Sequence, residues 1–105
     1  MSLQIDHSRH DGTAVLTVRG EVDLYTSPDL RTAIMSAVPG APDGLELDLA
    51  GVAYMDSSGV ATLVEGFRRS RENGTRFVLA QPSPAVMKVL ELTRLDTIFE
   101  IRRGP

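Results

Sequence analysis

Apolar residues alternate with other residues at Ala14, Leu16 and Val18, and again at Leu45, Leu47 and Leu49. That period of two predicts half-buried strands over residues 14–19 and 45–49. Residues 3–5 and 76–80 read as further short strands, with HSRHDG as a turn-rich link between the first two. Elsewhere the period changes to that of a helix. Leu30, Ala33, Ile34, Ala37 and Val38 fall on one face, as do Val60, Leu63, Val64 and Phe67, with Thr62, Glu65, Arg69 and Glu72 on the opposite side. Val86, Val89 and Leu90 form a third such set.

The punctuation agrees with this division. Ser27 is the expected N-cap of the first helix, Pro28 suits its first position, and Asp29 suits its positive dipole end. Ser83 and Pro84 repeat that start, PGAPDG ends the first helix, and Asn73-Gly74 ends the second. Residues 95–101 are expected to pack the chain end on the core as a last strand. Strands alternating with helices after a hairpin-like pair predict an α/β fold: one domain over residues 1–105, its mixed sheet of four to five strands carrying packed helices.

Composition narrows the chemistry. The 105 residues are 42% apolar and 24% charged, as expected of a globular chain rather than a disordered one. Fourteen acidic against 11 basic residues give a net charge of -3, which argues against nucleic acid as a partner. With no cysteine there is no disulfide, thiolate nucleophile or cysteine zinc site. The N-terminus lacks the pattern of a signal peptide, and no apolar run reaches the roughly 20 residues that cross a bilayer. The expectation is a soluble cytoplasmic protein without membrane insertion.

Enzyme signatures are sparse. A phosphate-binding GK[ST] loop is missing, and the single lysine, Lys88, lies inside a helical pattern. His7 and His10 have only Asp6 and Asp11 nearby, which reads as a solvated turn rather than a metal site. Arg68, Arg69 and Arg71 interleave with Glu65 and Glu72 as on a solvated helix face. The segment YMDSSGVATL is different: Asp56, Ser57, Ser58 and Gly59 stand where a strand hands over to a helix. Asp and Ser are good N-caps, but only one residue can be the N-cap, so a hydroxyl is left over. Gly59 weakens a helix by up to roughly 1 kcal/mol relative to alanine, and offers bare backbone to a close neighbour. A plain cap and a modifiable serine both fit these residues.

Three segments together resemble the STAS domain family, and within it the stand-alone anti-sigma factor antagonists. GEVDLYTSPDL (20–30) is similar to the family's strand exit and first helix, and DLAGVAYMDSSGVATL (48–63) to its signature. SPAVMKVLELTRLDTIFEI (83–101) is similar to its last helix and closing strand. The resemblance implies a non-enzymatic partner switch without a cofactor. The unphosphorylated domain would bind an anti-sigma factor that is also a serine kinase, releasing the sigma factor. The kinase would phosphorylate Ser57, and a metal-dependent phosphatase would reverse this. Asp23, Asp56, Ser57, Ser58 and Gly59 would form the partner surface of a monomer that enters hetero-complexes. Arg94 departs from the pattern, standing where relatives often have glycine or another small residue. Similar domains also serve beside lipid-trafficking ABC transporters, so a docking subunit of such a complex is the alternative.

Overall fold

The computed structural model describes residues 2–104. Strands β1 (Leu3–His10), β2 (Thr13–Val22), β3 (Gly44–Met55), β4 (Arg76–Ala80) and β5 (Glu100–Arg102) lie side by side in that order. Helices α1 (Ser27–Ala37), α2 (Ser57–Glu72) and α3 (Pro84–Leu92) connect the last four strands. The β1–β2 pair is antiparallel and the other three pairs are parallel, so the expected mixed α/β sheet holds, with five strands.

Each parallel strand adds on the same side of the one before it. Right-handed crossovers then place all three helices on one face of the sheet. The core reflects this. Leu16, Val18, Leu45, Leu47, Leu49, Phe77 and Leu79 meet Leu30, Ile34, Leu63, Val86 and Leu90 in one buried cluster. The opposite face is open and carries ion pairs instead: Asp6 with Arg19 at 2.7 Å, Glu46 with Arg102 at 2.6 Å, and Arg76 with Glu100. Strand alternation turns Val78 and Ala80 toward that open face, yet both are buried. Val78 sits in register between Glu46 and Glu100, and the Glu46–Arg102 pair spans β4.

Several local expectations need correction. HSRH is strand rather than turn, because β1 pairs with β2 residue by residue from Leu3–Gly20 to His10–Thr13. Only Asp11 and Gly12 are left to make the turn. The N-cap of α1 is Thr26 and not Ser27, which is already helical. Beyond Leu49, β3 runs on to Met55 because Gly51 to Met55 continue the parallel ladder with the end of β2.

In α2 the inward stripe is Gly59, Thr62, Leu63, Gly66 and Ser70, so Thr62 is buried although its polarity suggested the solvent side. Its hydroxyl is satisfied by donation to the Ser58 carbonyl at 3.0 Å. Small residues face inward because the helix lies close to its neighbours. A Cβ on Gly66 would stand 3.0 Å from Ile34 and 3.1 Å from Phe77. Val60, Val64 and Phe67 are thereby displaced to the flank, only partly buried.

Arg94 follows the C-cap of α3 in the left-handed conformation, with φ 59° and ψ 19°. This accounts physically for the small residue that the resemblance leads one to expect there, since a Cβ is disfavoured in that region. Replacing Arg94 by glycine should stabilise the domain by about 0.5–1 kcal/mol, once the added chain entropy of glycine is subtracted from the relieved strain. Thermal unfolding of Arg94→Gly beside the parent measures it; an unchanged or lower midpoint would refute the strain argument.

Candidate functional site

Two chain segments leave the same end of the sheet. Val22 closes β2 and Met55 closes β3, paired in register, and the amide of Asp56 donates to the Val22 carbonyl at 3.2 Å. The turn after β2 and the start of α2 are therefore tied together at their bases.

The first of these is organised by Asp23. Its Oδ1 accepts from the amides of Tyr25 and Thr26, both at 2.9 Å. In return the Thr26 hydroxyl accepts from the Asp23 amide at 2.9 Å and donates to the Glu21 carbonyl at 2.7 Å. This reciprocal pairing satisfies backbone groups of the turn that leads into α1. Asp23 and Thr26 are buried as a result, while Leu24 and Tyr25 between them are 66% and 86% exposed. The amide of Thr26 foremost, with that of Tyr25, holds the Asp23 carboxyl below its ordinary value near 3.8, against the opposing effect of burial.

The second segment is capped by Asp56, in extended conformation at φ -109°, ψ -169°. Its Oδ1 accepts from the Ser58 amide at 2.9 Å and from the Gly59 amide at 3.4 Å. The question of which residue caps is thus resolved in favour of Asp56. Ser57 opens the helix and is exposed, and no side-chain hydrogen bond engages its hydroxyl among the described residues. Ser58 is half-buried and Gly59 is buried. A Cβ at Gly59 would come within 2.6 Å of Met55 Cγ and 2.8 Å of Val22 Cγ1. The bare backbone at Gly59 therefore has an internal cause: it lets α2 start directly on the ends of β2 and β3.

Among the site residues read from the sequence, Ser57 is the exposed one, and Asp56 and Ser58 lie beside it half-buried. Asp23 is on the adjoining turn but buried, and Gly59 faces the core. Leu24, Tyr25 and Tyr54 were missed. Tyr54 pairs in register with Glu21 and is 47% exposed, so it belongs to the same end of the sheet. The signal for Leu24 and Tyr25 was available, as two large apolar residues in a turn governed by an Asp and a Thr three apart. Among the described residues no group of three or more His, Cys, Asp or Glu could hold a metal ion. No described helix is long and apolar enough to cross a membrane.

Residues 5–102 match the family model described as "Mlab, STAS domain". The chain belongs to the STAS domain family. The anti-sigma-B factor antagonist of Listeria monocytogenes is 32% identical to it, over 97% of this chain and 90% of that one. Among solved structures, an anti-sigma factor antagonist from Mycobacterium paratuberculosis aligns with a TM-score of 0.88 at 30% identity, covering 98% of this chain and 87% of the other. The Bacillus cell fate determinant SpoIIAA in its phosphorylated form aligns with a TM-score of 0.75 at 25% identity, covering 99% and 92%. The STAS domain anticipated from the three sequence segments is thus present, and the first two of these similar proteins are anti-sigma factor antagonists by name.

Two consequences can be measured. Alanine at Gly59 should destabilise the domain by about 1–3 kcal/mol despite its better helix propensity, because the added methyl overpacks the Val22–Met55 contact. Denaturant unfolding checks this, and a neutral or stabilising result would show that α2 can lift off at no cost. For Asp23 the sign follows from its lowered pKa. The folded state gives up this proton more readily than the unfolded chain, so its stabilisation is complete above about pH 4 and fades as pH falls through the folded value. Asn at this position keeps the Oδ1 acceptor but does not titrate. Stability measured from pH 6 downward should therefore fall less steeply below pH 4 in Asp23→Asn than in the parent, and identical slopes would contradict the assignment.

Proposed function

We propose that this STAS domain is an anti-sigma factor antagonist that works by binding, and that phosphorylation of Ser57 switches it off. In its unphosphorylated form it docks on an anti-sigma factor with serine kinase activity and so frees the sigma factor. The docking surface is the end of the sheet where Leu24, Tyr25 and Tyr54 stand exposed beside the start of α2, with Asp23, Asp56, Ser58 and Gly59 shaping it. The observation that carries this reading is the Ser57 hydroxyl, exposed and outside the network that caps α2. A kinase can reach it without unfolding the helix. The names of two of the similar proteins described above, both anti-sigma factor antagonists, support the same reading over a transporter docking subunit.

The effect of the phosphate follows from its surroundings. It adds about 1.5 to 2 negative charges at a helix start. Helix N-termini normally welcome an anion. Here the Ser58 and Gly59 amides are already engaged by the Asp56 carboxylate, so the new charge meets a like charge. The domain cannot absorb the phosphate into its own cap, and a partner seated on Tyr25 and Ser57 encounters it directly. A phosphatase that depends on metal ions would restore binding. We place this cycle in the cytoplasm, where a sigma factor acts.

Affinity capture from native lysate, with mass spectrometry of the eluate, tests the proposal. The parent chain and Ser57→Ala should both retain an ATPase-type serine kinase, Ser57→Asp should lose it, and Ser57→Ala should take up no phosphate from ATP. With the captured kinase purified, Tyr25→Ala should weaken binding by about tenfold or more, as a truncated exposed aromatic anchor does. Phosphate mapped to another residue would remove Ser57 from this role. An ABC transporter ATPase retained equally by the parent and Ser57→Asp would replace the proposal with the transporter reading.

A further inference from the structure

The flank of α2 borders a second feature, at the end of the helix away from Ser57. Because small residues occupy the inward stripe of α2, Val64 and Phe67 are pushed aside against the segment between α3 and β5. Together they leave a cavity of ≈ 400 Å³, walled by Phe67, Leu95, Ile98 and Phe99. Its floor is aromatic: Phe67 packs edge-on against Phe99 at 5.5 Å and against Phe77 at 6.3 Å between ring centroids. Ile98 is 57% exposed at its edge. The volume lies within the range of about 300–1,000 Å³ typical of small-molecule sites.

The rim is basic. Arg68 and Arg71 both line the cavity, and neither forms an ion pair among the described residues. The guanidinium of Arg71 lies 5.6 Å from the Phe67 ring centroid, which anchors it over the apolar wall. Glu72 is the one acidic group of the lining, and Arg69 already engages it at 3.6 Å. An apolar pocket with two free guanidiniums at its mouth selects a ligand that is apolar at one end and anionic at the other. A carboxylate is planar and singly charged, and it matches a guanidinium fork with two parallel hydrogen bonds. The shape disfavours a docked helix, which needs an elongated groove for anchors at successive turns. Here the walls come from two turns of α2 and one short segment.

We propose that this cavity binds a small amphipathic carboxylate, its hydrocarbon part against Phe67, Ile98 and Phe99 and its head group on Arg68 and Arg71. The site is separate from the Ser57 surface, and its occupancy does not depend on the partner switch.

Decanoate, kept below its micelle concentration, is the probe, titrated into the full chain and followed by amide chemical shifts in NMR. Saturable one-to-one binding is expected, with shifts concentrated in residues 64–72 and 95–99. Decanol, with the same chain and no charge, should bind about tenfold more weakly. The double variant Arg68→Gln, Arg71→Gln should lose decanoate affinity by a similar factor and leave decanol affinity unchanged. Both arginines are exposed, so the variant is not expected to unfold. Absence of saturation, shifts centred elsewhere, or equal affinity for decanoate and decanol would overturn the proposal. So would binding that appears only with phosphatidylglycerol vesicles, since that would make the patch a lipid-surface contact and not a ligand site.

Discussion

The hydrogen bond from the Asp56 amide to the Val22 carbonyl is the constraint on which the working end of this domain depends. It closes the parallel β2–β3 ladder after Met55 and obliges α2 to begin at once, directly above Val22 and Met55. Little room remains between helix and sheet, which is why glycine stands at position 59. The same bond holds the Asp23 turn next to the helix start. Two loops that are 33 residues apart in the chain are thereby presented as one surface.

A sheet with all its helices on one face has a second face to manage. Here strand-to-strand ion pairs take the place of a covering layer, and their aliphatic stems are well placed to shield Val78 and Ala80. Exposed pairs of this kind contribute only about 0–1 kcal/mol each, so their importance is less in stability than in surface character. Arg76 and Arg102 are each held charged by a neighbouring glutamate, foremost through a hydrogen bond, and Glu100 is correspondingly held below its ordinary value by Arg76. Opposite charges are matched across the open face. Exposed large apolar residues are found instead in the turns, at Leu24, Tyr25 and Ile98, and near the ends of elements, at Tyr54 in β3 and Leu92 in α3.

Much of this could be read in the residues beforehand, and the exceptions have a common physical origin. Alternation at Leu45–Leu49, the Ser83-Pro84 start and the Asn73-Gly74 stop are local signals, and each element they announced is present. What escaped the sequence depends on neighbours distant in the chain. HSRH has no apolar pattern of its own and is a strand because β2 supplies its partners. Residues 50–55 lie beyond the Leu45–Leu49 alternation and are held extended by the end of β2. Thr62 is inside because α1, β4 and α2 approach closely at Gly66, so that side-chain size outranked polarity in choosing the buried stripe. At the site, the DSSG segment announced a helix start correctly. The internal duty of Gly59 and the burial of Asp23 required the contacts themselves.

That division of labour bears on how a single modification can act. Asp23 and Asp56 each spend a carboxylate oxygen on two backbone amides, and these bonds keep the two loops in place whatever happens at the surface. Ser57 stands one residue beyond the cap and has no share in it. A change in its charge would therefore leave the fold's own hydrogen bonds intact and alter only what the surface presents. If the shape-holding duties and the variable charge fell on the same residue, phosphorylation would loosen the turn that displays Leu24 and Tyr25. Partner loss could then follow from disorder as well as from repulsion. Separating them by one position would let the two states of the proposed switch share a backbone, and a partner would then distinguish them by electrostatics and fit at the mouth of α2.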